Sequence, residues 1–522
     1  MPAARPRRRH RALAAALTAL AAAVTACDES APRDRSGGAP ARRPAVRFTD
    51  VTAAAGVAQD KDSGMWGAAW GDYDRDLDPD LMLGRHFAHA LLFENDGRRF
   101  RPAAGAGDVV DQFDRHGCAW GEANGDGRPD LYCTRGALEG TAAGPNYLAV
   151  QRGGRLLNEA KRRGARDKFG RGRSTNWLDF DGDGDLDLFV GNKRRPGHPD
   201  ALLRNDGGRF RRVDWGLARG TSTISSSWSD WDRDGDPDLL ALQYGDRAPI
   251  AYVNDGDRFR RAPLGVATAR PWSSAAWGDF DGDGWTDVHL VGERGAVVAR
   301  NRAGRFEVVH RMRLAQGRTS AWLDADNDAD LDVVVAQGIP ERLLPPDDAA
   351  IRVRDRPELL LRNDGGSFER VGGWSYRAAL GGDTDSVSVA DFDGDGRVDV
   401  LVTNGWAAAN ARATLLANRS RAQTWARVAL SGPRANPWGY GARLVVRAGR
   451  MRYRREVTDG VTFRSQSDAS LVHLGLAGAR AARVRVEWPG GGADCVHVRA
   501  GATVRVRAGA SPCARGGRRA GT

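Results

Sequence analysis

Apolar positions in this chain come in short runs, and many of the runs are entered through a tight cluster of acids. The segment "DFDGDGDLDLFV" at 179–190 shows the unit: aspartates on alternate positions with glycines between them, then leucine, phenylalanine and valine. Acidic or Asn side chains at positions 1, 3, 5 and 9 of such a segment recur seven times, their first positions 45 to 67 residues apart. A period on that scale marks a repeat architecture, to be recognised before any single element is assigned. Two residues before the first acid stands Trp70, Trp120, Trp177, Trp228, Trp277 or Trp322, with Val389 in the seventh copy. Directly after the last acid comes Leu81, Leu131, Leu188, Leu239, Val288, Val333 or Val400. Each opens a β-branched or leucine-rich run, so the pattern predicts a strand on either side of every acidic loop.

Farther along, "NDG" turns begin at Asn95, Asn205, Asn254 and Asn363 and are followed by Phe100, Phe210, Phe259 and Phe368. Turns of this kind supply the positive φ a tight hairpin demands, which predicts a third and a fourth strand. A four-stranded unit of roughly 50 residues cannot bury both faces alone, and a ring of such units protects every edge. The expected fold is all-β: a seven-bladed β-propeller over residues 46–420 with calcium-binding hairpin loops, then a small β-sandwich-like domain over 421–510 and a tail at 511–522. The last repeat, "LLANRSRAQTW", lacks its phenylalanine strand, whereas "VRFTDVTAAAGV" at 46–57 has one with no repeat before it. The amino-terminal strand is therefore expected to complete the seventh blade.

The acids carry the candidate chemistry. The ligand sets are Asp72, Asp74, Asp76 and Asp80; Glu122, Asn124, Asp126 and Asp130; Asp179, Asp181, Asp183 and Asp187; Asp230, Asp232, Asp234 and Asp238; Asp279, Asp281, Asp283 and Asp287; Asp324, Asp326, Asp328 and Asp332; and Asp391, Asp393, Asp395 and Asp399. Two carboxylates ~4 Å apart repel by about 4 kcal/mol at an effective dielectric of 20, so four converging on one point require a cation. Oxygen ligands without His or Cys select calcium, up to seven ions in all. Gly127, Gly184, Gly235, Gly284 and Gly396 at position 6 allow the sharp turn. Leu77 and Ala329 stand there in repeats 1 and 6, and repeat 2 has Glu122 and Asn124, so these three loops are the candidates for weaker binding. The ions are expected to hold hairpins shut, since metal binding is linked to folding.

Here the chain resembles known families. "WGDFDGDGWTDV" and "ADFDGDGRVDV" resemble FG-GAP/VCBS propeller repeats, and "NPWGYGARLVVRAG", "SQSDASLVHLGL" and "VRVEWPGGG" within 424–508 resemble the ASPIC/UnbV domain. The order is similar to that of the cartilage acidic protein family. That resemblance implies a propeller whose calcium ligands fall at positions 1, 3, 5 and 9 of each loop.

Composition refines the picture. The formal net charge of +11 comes from 78 basic and 67 acidic residues. They are interspersed in sequence without a localised basic stripe, which argues against a nucleic-acid partner. Residues 1–26 read as a signal peptide, "MPAARPRRRHRALAAALTALAAAVTA", with a basic start, an apolar run and small residues before Cys27. "VTAC" resembles a lipobox, so Cys27 is expected to be lipidated and 27–45 to be a disordered tether, placing the protein in the cell envelope or outside the cell. The membrane is then a partner only through that anchor. Cys118 and Cys133 flank the second acidic loop as a cross-strand disulfide would, and Cys495 and Cys513 form the expected second pair.

For function, the connections on the rim opposite the acidic loops are the expected place of recognition, with Tyr244, Trp406, Arg194 and Arg195 as candidate contacts. The reading is a monomeric binding or adhesion protein for a glycan or protein ligand at the cell surface. The alternative is a secreted hydrolase using the central pocket. Neither an H-E-x-x-H nor a G-x-S-x-G motif is present, and the acids are accounted for by calcium.

Overall fold

The computed structural model describes residues 45–513 apart from 60–63, 86–87, 110–114, 137–143, 194–197, 218–219, 246, 267–270, 315–316, 339–357, 373–383 and 406–411. Cys27, Arg194, Arg195, Trp406 and the tether thus lie outside the described residues.

Among the described residues, alternation of strand runs with acidic and hairpin turns yields seven four-stranded antiparallel sheets around the repeat region. Their first strands are Met65–Gly71, Arg115–Gly121, Gly172–Leu178, Thr223–Ser229, Ser274–Gly278, Gly317–Leu323 and Thr384–Ala390. Each packs against the next, and the last returns to the first, closing the ring of a β-propeller. Closure uses the chain's own start: Phe48–Asp50 pairs with Ala413–Asn418 as the outer strand of the last sheet.

Register is uniform at the acidic loops. The residue before the first acid lies opposite the last acid in every copy, as in Gly71 with Asp80 and Leu178 with Asp187. Between sheets, Trp70, Trp120, Trp177, Trp277 and Trp322 each donate their indole N–H to the preceding sheet, Trp177 to the Ala119 carbonyl at 3.0 Å and Trp70 to Ser388 Oγ at 3.1 Å. The fixed position of tryptophan in the repeat is therefore a packing and hydrogen-bonding device of the ring.

Beyond the ring, two sheets face each other. One orders Leu471–Gly475, Trp425–Ser431 and Thr503–Arg507; the other orders Met451–Glu456, Arg443–Ala448, Ala481–Glu487 and Ala493–Arg499. Alternation along Ala481–Glu487 puts Ala482, Val484 and Val486 in the core between them. Both expected disulfides form. Cys118 and Cys133 are direct cross-strand partners with Cα atoms 4.1 Å apart, and Cys495 joins Cys513 at 4.9 Å.

Candidate functional site

In each loop the carboxylates have divided roles. The ninth-position acid is wholly buried and clamps the hairpin pair. Asp187 Oδ2 accepts the Phe180 N–H at 3.2 Å and Oδ1 the Asn205 N–H at 2.7 Å, and Asp80, Asp130, Asp238, Asp287, Asp332 and Asp399 make the same second contact to the third strand. The fifth-position acid shapes the turn by accepting the N–H two residues on, as Asp183 does from Asp185 at 3.0 Å and Asp283 from Trp285 at 2.8 Å.

First- and third-position acids converge with these. Within Asp72, Asp74 and Asp80, one oxygen from each lies within 4.8 Å of the others, and the same holds for Asp179, Asp181 and Asp187, for Asp230, Asp232 and Asp234, for Asp279, Asp281 and Asp287, and for Asp324, Asp326 and Asp332. Their distinguishing feature is an oxygen left over. Oδ1 of Asp72, Asp179, Asp181, Asp230, Asp391 and Asp393 is buried and accepts no hydrogen bond. Burial raises Asp80, Asp187 and Asp238 to about 9 and Asp72, Asp179 and Asp391 to about 7, with neighbouring carboxylates adding to the shift. Buried acceptors of this kind are expensive unless a cation or donor meets them, and a hard divalent ion fits the all-oxygen set.

Loop 2 differs. Both Glu122 oxygens take loop amides, from Asn124 at 3.0 Å, Gly125 at 2.8 Å and Asp126 at 3.1 Å. The Asn124 amide meanwhile donates to Asp130 Oδ2 at 3.1 Å. Elsewhere arginines supply part of the positive charge: Arg204 meets Asp181 at 2.9 Å and Asp183 at 3.1 Å, Arg300 meets Asp281 at 2.6 Å, and Arg419 meets Asp393 and Asp395 at 3.2 Å.

Two features escaped sequence reasoning. The Asn of the hairpin turn is also an inter-sheet tie: Asn95, Asn254 and Asn363 donate Nδ2 to the Phe392, Phe180 and Phe280 carbonyls of the preceding sheet. Its recurrence at one place in the repeat was the available signal.

The second is the position of the carboxyl-terminal domain on the acidic rim. Arg427 meets Asp391 at 3.2 Å, Arg443 meets Asp230, and Glu456 accepts from the Asp230 N–H and from Thr286. From there, residues 459–468 enter the centre of the ring. Gln466 Oε1 accepts the Trp120 N–H at 2.7 Å, Asp459 accepts from Trp177 N at 3.0 Å and Asn176 Nδ2 at 3.1 Å, and Ser465 Oγ accepts from Ala68 N at 2.9 Å. Thr462 reaches Ser225 and Thr319, and the Asp468 N–H bonds the Val389 carbonyl. Six of the seven innermost strands thus hold one inserted segment. Beside it remains a cavity of about 230 Å³ walled partly by Trp277, Trp322, Leu331 and His473. Burial lowers His473 to about 4, and its Nε2 bonds the Gly396 carbonyl.

On the opposite rim, Tyr244 is half-buried with the Lys193 ammonium 4.2 Å from its ring centroid.

A family model described as FG-GAP-like repeat matches residues 123–190, 179–241, 230–290, 279–335 and 347–402, and one described as ASPIC and UnbV matches 432–512. No curated protein matches the chain. Among solved structures, it is similar to an Agrocybe aegerita lectin described as recognising non-reducing terminal N-acetylglucosamine, at 16% identity over 69% of this chain and 88% of that one, TM-score 0.41. It is also similar to the BP39L lectin of Burkholderia pseudomallei, at 13% identity over 66% and 94%, TM-score 0.45. A third is BBS1N in complex with ARL6DN, at 8% identity over 71% and 97%, TM-score 0.41.

Proposed function

The chain belongs to the FG-GAP-like repeat family and carries an ASPIC and UnbV domain, and from that premise we propose that it is an exported, calcium-stabilised binding protein. It takes a glycan or protein ligand on the propeller rim away from the acidic loops, acting as a monomer tethered through a lipid on Cys27. The observation that carries the calcium reading is the set of buried, unaccompanied Oδ1 atoms on Asp72, Asp179, Asp181, Asp230, Asp391 and Asp393. Calcium, when bound, supplies the positive charge that lets these carboxylates remain ionised in a buried site. The protein's own groups do the rest: ninth-position acids lock strand to strand, and fifth-position acids fix the turn.

Recognition is directed to the opposite rim because the carboxyl-terminal domain occupies the acidic one and residues 459–468 enter the ring's centre. The insertion narrows the ring's centre to the cavity of about 230 Å³ beside it, which supports a binding protein over a hydrolase with a wide central pocket. A thermal melt with and without excess chelator tests the metal reading; a drop of several degrees is expected, and an unchanged melt overturns it. Glycan-array and hydrolase-substrate screens of the calcium-loaded protein test the rest, where turnover without saturable binding would reverse the assignment.

A further inference from the structure

The face of the four-stranded carboxyl-terminal sheet turned away from its own core meets the propeller at one end, through Arg443 and Glu456, and beyond that contact gathers arginines that are far apart in sequence. Register sets Arg452 opposite Arg447, Arg447 opposite Arg483, and Arg483 opposite His497. Directly opposed residues of an antiparallel pair project from the same face, so one row crosses all four strands with three guanidinium groups in succession. Arg485 and Arg499 flank that row on the same face. Arg447, Arg483, Arg485, His497 and Arg499 are exposed, and Arg452 is half-buried. Among the described residues, Arg485 pairs with Glu487 at 2.9 Å, whereas Arg447, Arg452, Arg483 and Arg499 have no carboxylate within ion-pair distance. This corrects the expectation of no localised basic stripe.

Like charges directly opposed on a sheet are destabilising. Folding does not call for them, because the core beneath is filled from the other face by Val446, Tyr453 and Val484. With strands about 4.8 Å apart, the row presents cationic groups at close, regular intervals. We propose that this face binds a linear acidic polysaccharide, whose carboxylate or sulfate groups are taken by Arg452, Arg447 and Arg483. The planar guanidinium fork meets such groups in bidentate pairs. The face carries no Phe, Tyr or Trp on which bases could stack and no helix to enter a groove, which disfavours nucleic acid. The large exposed apolar side chains of the described residues, Phe169 and Val309, are on the propeller, which disfavours insertion into lipid. The inference rests on sheet register and is independent of the metal reading.

Dextran sulfate and polygalacturonate, titrated calorimetrically into the full chain at two salt concentrations, are the test, with duplex DNA and phosphatidylglycerol vesicles in parallel. Saturable binding to at least one polysaccharide is expected, weakening with salt and reduced about tenfold or more by Arg447→Glu with Arg483→Glu. Arg211→Glu, at an exposed position paired with Asp206, leaves binding unchanged. Arg447→Thr provides a milder variant, expected to melt no lower than the parent yet to bind more weakly, since it relieves repulsion while removing the central contact. Undiminished binding by Arg447→Thr, binding to neither polysaccharide, or tighter binding to DNA or vesicles at the same salt overturns the proposal.

Discussion

Leu77 shows what the repeat demands of a single residue. It holds φ at 81°, the conformation Gly127 adopts at the same place in the second loop, also at 81°. A side chain in the left-handed region costs roughly 1–2 kcal/mol, part of which glycine returns through its greater freedom when unfolded. Leu77→Gly is expected to stabilise the protein by about 0.5–1 kcal/mol, seen as a small rise in melting temperature; a fall would mean that the leucine's packing outweighs its strain. The converse holds at Gly121, where an added Cβ would lie 2.3 Å from Cδ2 of Trp177 in the next sheet. Gly121→Ala should cost about 1–3 kcal/mol by forcing that indole out of place, and a parental melt would show that the ring yields freely.

At the scale of the hairpin, loop 2 answers with hydrogen bonds the carboxylate oxygens that other loops leave unaccompanied. Glu122 reaches three amides that the shorter aspartate of other loops serves only in part, and Asn124 brings a donor to Asp130. This loop is expected to be the weakest calcium site. Native mass spectrometry in limiting calcium should register one more ion on Glu122→Asp with Asn124→Asp than on the parent; equal stoichiometry would contradict the account. Loops 1 and 6, by contrast, keep their convergent carboxylates in spite of Leu77 and Ala329. The sequence made these hairpins legible because an acidic loop is local: ligands, turn and flanking strands lie within one continuous stretch, such as 65–85 or 172–192, and recur. The basic row escaped it because Arg447, Arg452 and Arg483 alternate with apolar residues in separate strands and meet only through register. The inserted segment escaped it for a related reason. "TDGVTFRSQSD" is a polar run typical of a surface loop, and its meaning lies in partners such as Trp120 and Trp177 nearly 300 residues or more away.

That insertion makes the propeller and the carboxyl-terminal domain one mechanical body rather than two modules on a string. Gln466 is its centre: the side chain accepts from Trp120 N and donates to the Asp459 carbonyl at 2.8 Å, while its own backbone bonds Ala68 and Trp70. Removing the amide in Gln466→Ala leaves the buried Trp120 N–H without its acceptor, a loss of about 1–3 kcal/mol. Because that loss falls on the seam and not within either core, it should separate the two parts before it unfolds them. The parent is expected to melt in one calorimetric transition, and Gln466→Ala in two, with faster proteolysis in the connecting residues 419–424. If the variant still melts in a single transition at the parental temperature, the segment is a passenger in the channel, and docking is carried instead by rim contacts such as Arg427 with Asp391 and Arg443 with Asp230.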